Sequence, residues 1–166
     1  MIFETERLQV RKLKTSDINP FHEMHANKKV MIYTDSGIKT YAEDVLDLAD
    51  CISKYAQPNN RFWVWAVIRK EDDAFLGTVA LIDYDEINEE VGFRFLEKYW
   101  SNGYGFEVLD GLLKYAKSKN YKTLIGEVYA KNIASEKILK KLGFILQKEE
   151  ICKNTGFLDR LYQINL

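Results

Sequence analysis

Between residues 62 and 120 the chain changes its hydrophobic period, and the change falls on a pair of glycines. Residues 62–69 (FWVWAVIR), 74–83 (AFLGTVALID) and 90–97 (EVGFRFLE) are β-branched and aromatic, and the polar link KEDD joins the first two as a hairpin. From Phe106 the period becomes helical, with Phe106, Leu109, Leu112, Leu113 and Ala116 sharing one face to about residue 120. Gly103 and Gly105 stand at the junction. An antiparallel meander that feeds a helix through a glycine loop restricts what the rest of the chain can build.

The flanking segments fit around that unit. Leu8, Val10 and Leu13 alternate with polar residues in a first strand over 5–13. Thr15, Ser16 and Asp17 offer N-caps for one short helix through Phe21, Met24 and Val30, with Pro20 in its first turn. Thr40 and Glu43 make a capping box, which opens a second helix on Val45, Leu48, Ala49 and Ile52. After residue 120 the pattern predicts a strand at 123–130, a helix at 134–142 stopped by Gly143, and paired strands at 144–151 and 157–166. No linker or repeat interrupts 1–166, so one domain is expected, of mixed α/β (α+β) class.

Composition narrows the partners. The 24 basic and 25 acidic residues nearly cancel, which argues against non-specific binding to nucleic acid or an anionic membrane. No apolar run reaches membrane-helix length, and the first seven residues lack a signal-peptide core, so a cytoplasmic protein is expected. Cys51 and Cys152 alone make neither a disulfide framework nor a zinc site. His22 and His25 flank Glu23 as HExH rather than HExxH; they read as surface histidines near an acceptor, and no metal is expected.

The loop at 98–105 carries the chemistry. A glycine-containing turn into a helix presents unpaired N–H groups and the positive end of a dipole, which suits a phosphate. It lacks the Lys-Ser/Thr of a P-loop and the third glycine of the dinucleotide fingerprint, which disfavours ATP and NAD.

Asn132-Ile133-Ala134-Ser135, followed by Leu142-Gly143-Phe144, resembles the second signature of the GNAT acetyltransferases. Trp100-Ser101-Asn102-Gly103-Tyr104-Gly105 is similar to that family's pyrophosphate loop. Glu4 to Leu8, with Arg11 and Asp17, the hairpin Trp65–Ile68 through Leu76–Thr78, and Glu90–Phe93 are similar to the branch holding the ribosomal-protein N-terminal acetyltransferases. The resemblance runs in order from about residue 4 to 166.

It implies a GNAT-like fold: a central, mostly antiparallel twisted sheet of about seven strands flanked by about four helices. It implies acetyl-CoA in a cleft where strands 90–97 and 123–130 splay. The pyrophosphate would meet the amides of Ser101, Asn102, Gly103, Tyr104 and Gly105, and edge amides around Phe95 and Leu96 would hold the pantetheine and thioester. Asn132 and Ser135 would lie near the sulfur, and Tyr33, Asp35 and Tyr41 where members bind the acceptor. Two positions depart from the pattern: Leu139 stands where many members carry a tyrosine acid, and Trp100 where the loop opens with Gln or Arg. Ser135 is then the candidate near the departing thiolate, and Glu90 the candidate base, with Glu86, Glu89 and Glu127 as competitors. The implied reaction is direct attack of a primary amine on acetyl-CoA. The acceptor is a protein N-terminal α-amine or a small amine of polyamine or aminoglycoside type. A non-catalytic acyl-CoA sensor is the rival reading, and the oligomeric state is left open.

Overall fold

The period-two segments between residues 62 and 97 form the middle of one eight-stranded sheet in a computed structural model that describes all 166 residues. Strands β3 (Phe62–Arg69), β4 (Phe75–Asp83) and β5 (Glu89–Phe95) pair antiparallel in succession. On one side β2 (Leu8–Lys12) pairs with β3, and the two-residue β1 (Phe3–Glu4) covers its edge. On the other, β6 (Thr123–Tyr129) runs parallel to β5, β8 (Leu158–Asn165) pairs antiparallel with β6, and β7 (Ile145–Ile151) lies outermost. The sheet is mixed and mostly antiparallel, as expected, with one strand more than the seven read from the pattern.

Five helices accompany it: α1 (Ile18–His25), α2 (Lys28–Met31), α3 (Tyr41–Lys54), α4 (Tyr104–Ser118) and α5 (Ile133–Lys141). Strand alternation divides the core between two faces. Trp65, Val67, Val79, Leu81 and Val91 join Val108, Leu109 and Leu112 of α4 on one face. Ala66, Ile68, Phe75 and Leu96 join Phe21, Met24 and Leu48 on the other. Leu109 and Leu112 are fully buried, which stabilises by about 1.5–3 kcal/mol each.

The single early helix expected through Val30 is two. Asn27 takes an extended backbone and accepts from the Lys29 amide at 2.9 Å, which caps α2 and ends the first run. The capping box of α3 forms as read: the Glu43 carboxylate accepts the Thr40 amide at 2.7 Å, and the Thr40 hydroxyl accepts the Glu43 amide. Arg11 grips Asp17 bidentately at 2.7 and 2.8 Å, tying β2 to the 3₁₀ turn Thr15–Asp17.

The sheet forks at its centre. β5 pairs with β6 only at Glu89–Leu124 and Glu90–Ile125. Beyond that point β5 follows β4 to the Gly77–Phe95 pair, while β6 follows β8 from Thr123 to Tyr129. Each strand stays with its outer neighbour, and a cleft opens between them. No helix is long and apolar enough to cross a membrane.

Candidate active site

The loop from β5 to α4 is built to leave amides free. The 3₁₀ turn Glu97–Tyr99 is followed by Trp100, whose indole N–H donates to the Phe95 carbonyl at 2.9 Å. Asn102 Nδ2 donates back to the carbonyls of Tyr99 and Trp100, at 3.1 and 2.8 Å. Arg7 donates to the Asn102 carbonyl at 3.1 Å while gripping Glu107 of α4 at 2.7 and 2.6 Å. Held this way, the N–H groups of residues 101 to 106 donate to no acceptor in the protein; the first paired amide is that of Glu107, on Gly103 O at 3.1 Å. Six consecutive free donors stand at the positive end of a 15-residue helix, an arrangement suited to an anion.

The two glycines serve different ends. Gly103 is left-handed (φ +79°), a conformation a Cβ disfavours. Gly105 is helical; a Cβ there would fall 3.0 Å from Ile138 Cδ1 and 3.2 Å from Phe93 Cε2, so glycine is needed for closeness. The other left-handed residue of the loop is Ser101 (φ +61°).

At the closed end of the fork sits Glu90, half-buried, with no hydrogen-bond partner and no cation within 4 Å. Burial, then the charges of Glu127 and Asp35, push its carboxyl up to about 7. Its neighbour Glu89 is held by Arg61 at 3.0 Å, and Glu86 is exposed in the β4–β5 turn. Glu127, on β6, is raised too, first by burial and then by Asp159 and Glu150. The carboxylates of Glu90, Glu127 and Asp159 are all raised around the fork, first by burial and each in part by the charge of Asp35.

Along β5 the backbone alternates. The Leu96 amide donates to Leu76 O at 2.9 Å, so even-numbered residues bond β4 and the odd ones, Phe93 and Phe95, turn their amides to the fork. Leu96 is therefore not an edge amide: its N–H belongs to the β4 ladder.

A profile of the acetyltransferase (GNAT) domain matches residues 7–145. The chain belongs to the GNAT acetyltransferase family. The N-acetyltransferase YnaD of Bacillus subtilis (strain 168) is 27% identical over 167 residues, covering 98% of this chain and 95% of that protein. In fold, the chain is similar to a GNAT-family acetyltransferase from Bacillus anthracis (TM-score 0.88, 22% identity, 98% and 97% of the two chains). It is also similar in fold to the ribosomal-protein-S5-alanine acetyltransferase from Vibrio fischeri (TM-score 0.80, 18% identity, 98% and 95%). This is an acetyl-CoA-dependent acetyltransferase.

In this GNAT acetyltransferase the second signature is a helix cap. Asn132 ends the turn after β6, and its side chain accepts from the Ser135 amide at 3.3 Å, which leaves the half-buried Ser135 hydroxyl free. Leu139 is buried against β6: a Cβ on Gly126 would lie 2.8 Å from its Cδ2. The acceptor candidates separate. The Tyr33 ring lies 5.4 Å from that of Tyr129, and Asp35 acts on Glu90, Glu127 and Asp159, so both belong to the fork. Tyr41 instead lies edge-on to His22, at 5.2 Å between ring centres.

The histidines are not both surface groups. His25 is 5% exposed, and both Nδ1 atoms lie 2.6 Å from the fully buried Asp44 carboxylate. His25 Nε2 meets Arg94 Nη1 of β5 at 2.9 Å. Arg7 and Arg94 were missed by the sequence reading. Arg7 lay in a recognised stretch with no role; Arg94 carried one signal, a cation in the middle of an apolar strand.

Proposed function

We propose that this enzyme acetylates a primary amine of the protein N-terminal α-amine class, with Glu90 as the base that removes the amine proton. The observation that carries the reading is Glu90 itself: a carboxylate at the closed end of the fork, without a cation, raised to about 7. An α-ammonium titrates at about 7.7–8.0 and a lysine-type ammonium at about 10.4. A base near 7 is matched to the first within about a unit and falls short of the second by more than three. The surrounding carboxylates and the rings of Tyr33 and Tyr129 suit a cation as it arrives. The likeness to a ribosomal-protein alanine acetyltransferase along 98% of the chain supports the same class.

The residues around the fork fit acetyl-CoA, which supplies an activated acetyl thioester and a thiolate leaving group. The free amides of Ser101, Asn102, Gly103, Tyr104, Gly105 and Phe106 suit its pyrophosphate, with Arg7 beside them. The fork-facing amide of Phe95, joined by Phe93, suits the amide-bearing arm. Asn132 orients the start of α5, and the Ser135 hydroxyl is free to donate near the departing sulfur. Leu139, closed against Gly126, offers no proton there. That single feature favours a second reading, an acyl-CoA-holding protein without turnover.

Amine-dependent release of CoA decides between them. Turnover with an N-terminal peptide should follow a kcat/KM that rises with pH through about 7. Glu90→Gln should lower kcat about 100- to 10,000-fold, with loss of that limb and an unaltered acetyl-CoA Kd. An unchanged pH limb removes Glu90 as base; tight acetyl-CoA binding without release against any amine establishes the holding protein.

A further inference from the structure

The sheet face beneath α1–α3 is left partly open at one place. Glu90, Gly92 and Arg94 project from β5 to that face, opposite Ile82, Ala80 and Thr78 of β4. These are central strands, where full cover is the rule, yet Ala80, Ile82, Glu90, Gly92 and Arg94 all keep part of their surface in solvent. Gly92 makes the depression: a Cβ there would meet nothing nearer than the Ala80 methyl at 4.0 Å. Between Glu90 and Arg94 the exposed face carries only Gly92 and its partner Ala80, with a carboxylate at one end and a guanidinium at the other.

Arg94 has no carboxylate in direct contact; Asp44 acts on it from behind His25. None lies within 4 Å of the guanidinium, and the one protein group it meets is His25 Nε2, at 2.9 Å. A guanidinium only donates, so Nε2 accepts, and the proton of His25 sits on Nδ1, directed at Asp44. His25 is then neutral, in accord with its lowered pKa, which burial causes first. Asp44 fixes the imidazole and the imidazole fixes Arg94. The remaining N–H groups of Arg94 donate to nothing in the protein, and they are not sealed in: Trp65 Nε1 alone is buried without a partner. Burying a cation without an anion is costly. A guanidinium at a partly open surface and short of an acceptor is a ready bidentate partner for a carboxylate.

We infer that the acetyl acceptor is an acidic peptide N-terminus, whose α-amine lies at Glu90 and whose carboxylate, two or three residues in, is received by Arg94. The inference rests on the reading of Glu90 as the base. Arg94 lies four steps along the strand from Glu90, about 13 Å between Cα atoms at about 3.3 Å per residue. The side chains shorten that gap, and an extended peptide of two or three residues, at about 3.3–3.6 Å each, spans what is left. A free α-amino acid holds its two charges too close, and a polyamine has no anion to offer. The charges also set direction: Glu90, Glu127 and Asp35 attract the amine and repel the carboxylate, which leaves the Arg94 end for the acid.

The test compares Ala-Ala-Glu-amide with its neutral isostere Ala-Ala-Gln-amide, by kcat/KM with acetyl-CoA and by Kd in the presence of CoA. Wild-type protein should favour the acidic peptide tenfold or more in both. Arg94→Gln should bring the ratio to about one, and Arg94→Lys, which keeps the charge, should retain a preference. Equal handling of the two peptides by wild type, or an undiminished ratio in Arg94→Gln, overturns the assignment of Arg94. If Arg94→Gln does not fold, the wild-type and Arg94→Lys ratios decide. Acidic-peptide binding that depends on Arg94 but gives no transfer upholds Arg94 and sinks Glu90 as base. Equal acetylation of both peptides does the reverse.

Discussion

The two flanks of the fork in the sheet are built from opposite materials. On the α4–α5 flank, glycine lets backbones close up: Gly105 against Ile138 and Phe93, Gly126 against Leu139. On the flank under α1–α3, Gly92 serves the reverse purpose and leaves a space that nothing fills. The closed flank packs apolar groups and its geometry follows from volume. The open flank carries Glu90 and Arg94, neither in direct contact with an opposite charge: Asp44 reaches Arg94 only through His25. A folded chain tolerates such groups where a ligand completes them, which is why the proposed acceptor is placed on the open flank.

If the open flank holds an unpaired carboxylate, removing its charge should stabilise the fold, and the effect should depend on pH in a fixed direction. Burial first, then Glu127 and Asp35, raise Glu90 from 4.5 to about 7, so the native state binds a proton that the unfolded chain has already lost. Stability therefore falls as pH rises from about 4.5 to 7 and stays low above, by at most about 3 kcal/mol. Denaturant titrations of Glu90→Gln should show that fall reduced, the raised Glu127 and Asp159 keeping their share, with the variant ahead of wild type at pH 8 and level with it at pH 4.5. A wild-type advantage at pH 8 would mean that Glu90 is paired after all.

The closed flank should answer to volume instead. Gly126→Val puts a Cβ 2.8 Å from Leu139 Cδ2, and overpacking of this kind costs about 1–3 kcal/mol. The loss should be independent of pH; an unchanged Tm would show that α5 can move aside. Smallest is the effect at the junction of the flanks. Gly103→Ala imposes about 1–2 kcal/mol on a left-handed residue, so the acetyl-CoA Kd should rise about tenfold with little change in turnover at saturation. Calorimetric binding checks it.

The elements were legible in the sequence and the long-range pairings of the open flank were not, for a physical reason. Period and caps are local, so the strands at 62–95, the capping box at Thr40 and the glycine loop stood out from neighbouring residues alone. The break at Asn27 hid because its flanks keep the helical period, and β1 because two residues carry no period. Glu90 was already the candidate base, but setting aside its competitor Glu89 required Arg61, 28 positions from Glu89 in sequence. Seeing His25 as buried required Asp44, 19 away, and giving Arg94 a setting required His25, 69 away. The unpaired state of Glu90 and Arg94 is a fact about the whole fold that no window of sequence displays.

Trp100, which stands where the loop signature calls for Gln or Arg, gives the enzyme an optical reporter. Its indole is tethered to the Phe95 carbonyl at one end of the amide row, yet the residue is 42% exposed. The other two tryptophans, Trp63 and Trp65, stack 6.0 Å apart within the sheet and supply a steady background. A change in emission on adding a nucleotide-bearing ligand therefore reads the loop itself. Occupancy of the amides can be followed in real time, with no label and no chemistry at the thioester.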